Sequence, residues 1–337
     1  MRGTLLGSMA FEGPPHRTPV VGGTREAADQ PRYMSAEWLA QRQPLDQAYL
    51  ACAESSPREG VPRGRVKSHH GWAPAGGSSA YPETRRELYI YTPPGIDAAQ
   101  VRAGTQPAPH LILFQDGPGY LQVQDGGGMN VPTVLDNMLA DGEIEPTVGV
   151  FLSPGVPNAI SDEDQALTGV DPQTLGEDER PAWAAAMKRI EQWASDSPYG
   201  GQRSFEYDSV TPKFVDFLTD EVLPFVEDYC GYPLDPDPHH RTICGMSSGG
   251  ICAFNAAWWR PDVFGNVISH CGSFTDLQPL RRPDGATGTF GTESPFHGQP
   301  SGAMFPFMVR QSPRKDIRVW MQSGEGDLAL PPGNWPM

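Results

Sequence analysis

The chain has 337 residues, with 25 Lys and Arg against 41 Asp and Glu, a formal net charge of −16 at pH 7. That carboxylate surplus argues against a nucleic-acid partner, which is held by Lys and Arg neutralising phosphates, and no stretch approaches the ~20 apolar residues of a membrane-spanning helix. A hydrophobic share of 38% suffices for a buried core, while 38 Gly and 36 Pro assign much of the chain to loops.

The five cysteines (Cys52, Cys230, Cys244, Cys252 and Cys271) are odd in number and form no C-x-x-C pair. They predict neither a disulfide framework nor a zinc site, and point to a reducing compartment. The apolar run after Arg2 is too short for a secretory signal, so a cytoplasmic location is expected.

Residues 1 to 80 are rich in Pro, Gly, Ser and Ala, with one helical pattern from Ser35 to Ala53 and no apolar period between Pro57 and Ser79. This region is expected to be an extension, partly disordered. The globular domain is expected from Tyr81 to the C-terminus. Its first strand is Glu87 to Tyr91, closed by the turn at Pro93-Pro94-Gly95. Short continuous apolar runs, the mark of strands buried on both faces, follow at Leu111 to Phe114, Val148 to Leu152, Thr242 to Cys244, Val267 to Ser269 and Ile317 to Met321.

Helical patterns alternate with them. Val131 to Ala140 is one, and Gly249 to Trp259 another. Phe214, Phe217, Leu218, Val222, Phe225, Val226 and Tyr229 form an apolar face that Pro224 should kink. Strands alternating with helices predict an α/β fold, a mostly parallel sheet with helices on both faces. Residues 156 to 201 interrupt the alternation with the acidic runs Ser161 to Asp164 and Glu177 to Glu179 and a helix around Trp183 to Trp193. This insertion reads either as a lid over a site or as a solvated surface excursion.

The sharpest chemical motif is Gly245-Met246-Ser247-Ser248-Gly249, followed by Gly250. An apolar strand leads in and a small-residue helix leads out. In such a strand-to-helix elbow the serine occupies a strained turn with its hydroxyl presented to substrate, and the flanking glycines let strand and helix approach. The N–H of Ser248 then lies at a helix N-terminus, where it can donate to the oxyanion of a tetrahedral intermediate. A second donor is expected from the loop Phe114-Gln115-Asp116-Gly117-Pro118-Gly119. Pro118 has no N–H, which leaves Gly117 or Gly119.

An acid that orients a base is expected after a later strand. Asp327 fits, with Glu325 as a rival. Serine, acid and histidine follow in that order in this arrangement, yet all eight histidines precede Asp327. His297 is conceivable as a replacement base, and His270, just after a strand, reads as structural. Two readings remain: an enzyme with Ser247 as nucleophile, or a non-catalytic protein that binds a ligand in the same cleft.

The stretches ELYIYTPPG, LILFQDG, VPTVLDNMLADGEIEPTVGVFLSPG, RSFEYDSV, ICGMSSGGICAFNAAWWRPDVFGNVISHCGSF and IRVWMQSGEGDL with GNWP carry a family resemblance. From Tyr81 on, the chain resembles the enterochelin-esterase-like branch of an esterase family that is also similar to feruloyl and acetyl xylan esterases. The resemblance implies an α/β-hydrolase with Ser247 as nucleophile, Asp327 as triad acid and a small-molecule ester as substrate, of the siderophore-, phenolic- or sugar-ester class. Family members continue past GNWP through a helix, a strand and a G-G-H segment, so this chain is expected to lack the final helix and strand and to expose apolar sheet surface. Arg203, in RSFEY, is expected either to clamp a substrate carboxylate or phenolate or to pair with Glu206. Asp235-Pro-Asp237-Pro-His239-His240 has metal-ligand letters but reads as a solvated turn, and Gly126-Gly127-Gly128 lacks the Lys of a phosphate loop. No metal and no cofactor are expected.

Overall fold

The apolar runs that the sequence sets between turn signals become the middle of one sheet. A computed structural model of the chain describes residues 52–121, 129–167, 170, 172, 174–196, 202–274, 280–281, 287–288 and 302–323. The elements begin with β1 (Arg65–Trp72), β2 (Thr84–Thr92), α1 (Ala98–Arg102), β3 (His110–Gln115), α2 (Val131–Ala140), β4 (Thr147–Leu152) and β5 (Val156–Pro157). Four helices follow: α3 (Asp162–Ala166), α4 (Arg180–Asp196), α5 (Gln202–Tyr207) and α6 (Lys213–Phe217), which runs through a π turn into α7 (Leu223–Cys230). Then come β6 (Arg241–Met246), α8 (Ser248–Trp259), β7 (Asn266–His270), the two-residue pair β8 (Leu280–Arg281) and β9 (Thr287–Gly288), α9 (Phe305–Gln311) and β10 (Arg318–Gln322).

The sheet is 8-stranded, in the order β1-β2-β4-β3-β6-β7-β10, with β5 paired to β2. β2 is antiparallel to its neighbours, and pairing is parallel from β4 through β10. This is the α/β-hydrolase arrangement, with the Gly-x-Ser-x-Gly turn following the central strand β6. Buried runs place β4 and β3 in the middle: all but the first residue of β4 is buried. Ile243 and Cys244, adjacent on β6, belong to the two different apolar clusters, as alternation along a strand requires. α6, α7 and α8 contribute to the larger cluster on one face, and α2 to the smaller cluster on the other through Leu135.

Two elements differ from the sequence reading. The sheet begins at Arg65, inside the stretch expected to be an extension. β1 buries only Trp72, so it carries no apolar period; its pairing with β2, from Arg65↔Thr92 to Trp72↔Arg86, defines it. The kink expected at Pro224 is taken up as a π turn over Leu218–Val222, in which the Leu223 N–H donates to the Leu218 carbonyl. The wider turn lies immediately before the residue that cannot donate. The helical pattern from Ser35 to Ala53 lies largely outside the described residues.

β10 ends the sheet among the described residues, and both its faces are open: Val319 is 39% exposed and Trp320 52%. Trp320 stands edge-on to His270 at 5.1 Å. An apolar edge strand of this kind invites association between chains. We therefore expect the 337-residue chain to self-associate in sedimentation experiments as its concentration rises, and Trp320→Lys to weaken that association. A wild-type chain that stays monomeric throughout the range would contradict this.

Candidate active site

Ser247 stands between β6 and α8 with φ 57° and ψ −122°, a backbone region that L residues avoid at a cost of about 1–3 kcal/mol. Four backbone hydrogen bonds hold it there. Its N–H donates to the His270 carbonyl at 2.9 Å, and its own carbonyl accepts from the N–H groups of Gly250 (2.9 Å), Ile251 (3.2 Å) and Ser273 (3.1 Å). The flanking glycines are required by space. A Cβ on Gly245 would lie 2.2 Å from the Gly249 carbonyl oxygen, and one on Gly250 would lie 2.8 Å from Ser269 Oγ. Strand and helix therefore touch backbone to backbone. Ser247 itself is exposed while Ser248 is buried. As the first residue of α8, Ser248 has an N–H with no acceptor inside the helix.

The loop after β3 comes close to this turn. Asp116 is left-handed, with φ 55° and ψ 38°. Gly117 packs against β4 so closely that a Cβ there would lie 2.3 Å from the Phe151 carbonyl carbon. The Gly119 N–H donates to the Asp116 carbonyl at 3.1 Å, so of the two glycines it is Gly119 whose donor is engaged in the turn. A Cβ built on Gly249 would lie 3.3 Å from Asp116 Oδ2, which measures how near the β3 loop lies to the start of α8.

Asp116 is held by α5. Its N–H donates to the Tyr207 hydroxyl at 3.2 Å, and its carboxylate accepts a two-pronged bond from Arg203, Nε at 3.0 Å and Nη2 at 2.7 Å. Burial lowers the Arg203 pKa, but the hydrogen bonds and charge of Asp116 outweigh it, so the guanidinium is held charged above its ordinary value. The sequence left Arg203 a choice between substrate and Glu206; the structure pairs it with Asp116. Glu206 belongs instead to Arg86, whose Nη1 and Nη2 reach its oxygens at 2.8 and 3.1 Å. The same carboxylate accepts from the Gly155 N–H at 3.2 Å and from Gln202 Nε2 at 2.7 Å. This pair anchors α5 to β2 and so sets the positions of Arg203 and Tyr207.

Ser247 Oγ lies 3.1 Å from Ser273 Oγ, and no described histidine bonds to it. His270 ends β7 and places Nδ1 2.9 Å from Gln322 Oε1, in keeping with a structural role. Asp327, Glu325 and His297 lie outside the described residues. Because β10 runs parallel to β7 and β6, the chain toward Asp327 leaves the sheet at the same edge as Ser247. Sequence reasoning gave no role to Asp116, Ser273 or Tyr207, the last of which it noted only as part of the RSFEY stretch. Asp116 stands in the FQDG stretch and Ser273 in HCGSF, but their partners are distant in the chain.

The insertion reaches this neighbourhood. Asp162 and Gln165 of α3 line a pocket with Pro118, Arg85 and Arg86. α3 is tied down by Asp164, whose carboxylate is paired with Arg189 of α4 and lies below its ordinary pKa because of hydrogen bonds from that guanidinium.

A family model described as "Putative esterase" matches residues 173–334, a stretch that includes the elbow and Arg203. That stretch is just under half of the chain. No curated protein matches it. Among solved structures it is similar to the enterobactin esterase of Shigella flexneri crystallised with 2,3-di-hydroxy-N-benzoyl-serine, at 17% identity over 78% of this chain and 46% of that one, with a TM-score of 0.43. A second similar structure is the enterochelin esterase of Shigella flexneri, at 18% identity over 81% of this chain and 48% of that one, TM-score 0.46. A third is a ferulic acid esterase from the anaerobic fungus Anaeromyces mucronatus, at 15% identity over 65% and 63%, TM-score 0.37. This chain spans about half the length of the Shigella flexneri proteins.

The support beneath the β3 loop can be measured. Arg86 and Glu206 have side chains only 2% and 0% exposed. Removing one partner strands the other's charge in the interior, at about 3–5 kcal/mol. Glu206→Ala should lose that much in urea unfolding. A loss under about 1 kcal/mol would show that water reaches Arg86 and that the pair does not hold α5.

Proposed function

We propose that this domain is a serine esterase that hydrolyses a small-molecule carboxylic ester through an acyl-enzyme on Ser247. The observation that carries the reading is the exposed Ser247 on a strained turn, at the N-terminus of a helix whose first N–H is that of Ser248. In the proposed first step Oγ attacks the ester carbonyl carbon, its proton passes to a general base, and the carbonyl oxygen becomes an oxyanion. Ser248 and Gly117 N–H groups take up that charge; Gly117 is preferred over Gly119 because the Gly119 N–H is already engaged by Asp116. The bond to the alcohol oxygen then breaks, the alcohol leaves with the proton, and water frees the acid by the same route.

Asp327 is assigned the role of orienting the base. With Nε and Nη2 of Arg203 on Asp116, Nη1 is the donor through which Arg203 would meet a substrate carboxylate or phenolate. A substrate of the siderophore-, phenolic- or sugar-ester class is part of the same proposal. So is a cytoplasmic location, supported by five free thiols. No described helix is long and apolar enough to cross a membrane.

One observation favours a second reading. Ser247 Oγ faces Ser273 Oγ and no described imidazole, as in a domain that binds a ligand without turning it over. Hydrolysis of p-nitrophenyl acetate separates the two. The esterase reading expects a burst of p-nitrophenol equal to the enzyme present, and a rate at least about a thousandfold lower in Ser247→Ala. Wild-type turnover no faster than that of the folded variant would favour the binding-only domain.

A further inference from the structure

A cluster of ligand-type side chains lies at the far end of the sheet from Ser247, and the esterase chemistry makes no use of it. His110 opens β3, while Asp235 and His240 lie in the connection that leads into β6. β3 and β6 pair in parallel from Leu111↔Arg241, so the residues just ahead of the two strands are brought side by side. The two imidazoles stack with their centroids 4.1 Å apart and their planes 15° from parallel. Asp235 Oδ2 is 2.9 Å from His240 Nδ1.

We propose that His110, Asp235 and His240 form a binding site for a divalent transition-metal ion of the zinc class. One ligand atom from each residue lies within 4.8 Å of the others. Ligand atoms at about 2.0–2.2 Å in a tetrahedral zinc site lie about 3.4 Å apart, so an incoming ion would draw the set in by about an ångström and rotate the two stacked imidazoles until their in-plane lone pairs converge. The backbone around it is already fixed. The Asp235 N–H donates to the Pro109 carbonyl at 2.9 Å, and the His110 N–H donates to the Pro146 carbonyl at 2.9 Å. Asp235 also accepts from the Asp237 N–H through Oδ1 at 2.9 Å, and from Arg241 Nε through its carbonyl at 2.6 Å. A ligating carboxylate steadied by a second hydrogen bond is the usual support of such sites.

Two imidazoles and one carboxylate suit Zn²⁺, Ni²⁺ or Cu²⁺ rather than Mg²⁺ or Ca²⁺, which take oxygen ligands. All three residues are half-buried, so the remaining coordination positions face water. Neighbouring His239 is outside the set, with Nε2 turned to Asp316 at 3.2 Å. The run Asp235 to His240 alone reads as a solvated turn; the third ligand comes from a strand more than a hundred residues earlier. A bound ion would clamp the starts of two central strands and stabilise the fold. β6 separates it from Ser247 by about 20 Å at ~3.3 Å per residue.

The test uses the full chain after treatment with a chelator, titrated with Zn²⁺ in a calorimeter and melted with and without the ion. One zinc per chain is expected, with a melting temperature that rises on binding. Binding at least about tenfold weaker in His110→Ala and in His240→Ala, but unchanged in His239→Asn, would support the site. Wild-type affinity no greater than that of the His110→Ala/His240→Ala pair would overturn it and leave only adventitious binding by other histidines. If those variants do not fold, zinc-edge X-ray absorption of the wild-type complex decides. Two imidazoles with oxygen ligands support the assignment, and a spectrum with thiolate ligands or without paired imidazoles contradicts it.

Discussion

The architecture turns on the contact between Gly245 and Gly249, where the end of a strand and the start of a helix meet with no side chain between them. That contact forces the chain to reverse within three residues, and the reversal puts Ser247 into a backbone conformation that only its surroundings can sustain. His270 and Ser273 supply bonds from the neighbouring strand and loop, so the position of β7 beside β6 is part of what holds the bend. Strain of a few kcal/mol is affordable because β6 is central and α8 is almost wholly buried.

A second line of support comes from the opposite side. Arg86 in β2 fixes Glu206 in α5; α5 then fixes Asp116 through Arg203 and Tyr207. Asp116 in turn orients the peptide that begins the Gly117 turn. The β3 loop is thus braced by charge pairs, one buried and one partly exposed. Their difference matters. The buried pair is structural because neither charge can find water, whereas Arg203, 41% exposed, keeps part of its guanidinium in reach of solvent.

Much of the sheet was legible because its central strands are continuous apolar runs. β3, β4, β6 and β7 each fall on such a run, with ends shifted by no more than a few residues. The elbow was legible for a different reason, that Gly-x-Ser-x-Gly follows a strand and opens a helix. β1 was not, because an edge strand with one buried residue has no pattern to read. The pairs that shape the candidate site were hidden for a third reason. Asp116 meets Arg203, Arg86 meets Glu206, and His110 meets His240 only once the sheet has brought distant segments together. Local spacing pointed instead to Arg203 with Glu206 on one helical turn, and the fold preferred a longer-range partner for each.

The central claim is that the geometry at position 247 makes one serine hydroxyl chemically distinct from all the others. Peptide mass mapping after reaction with a fluorophosphonate tests it most directly, because the phosphonyl group stays on the oxygen that attacked. The account predicts a single modified peptide carrying the adduct on Ser247, with none formed in heat-denatured protein. Modification spread over several serines, or a folded chain left unmodified at Ser247, would contradict it.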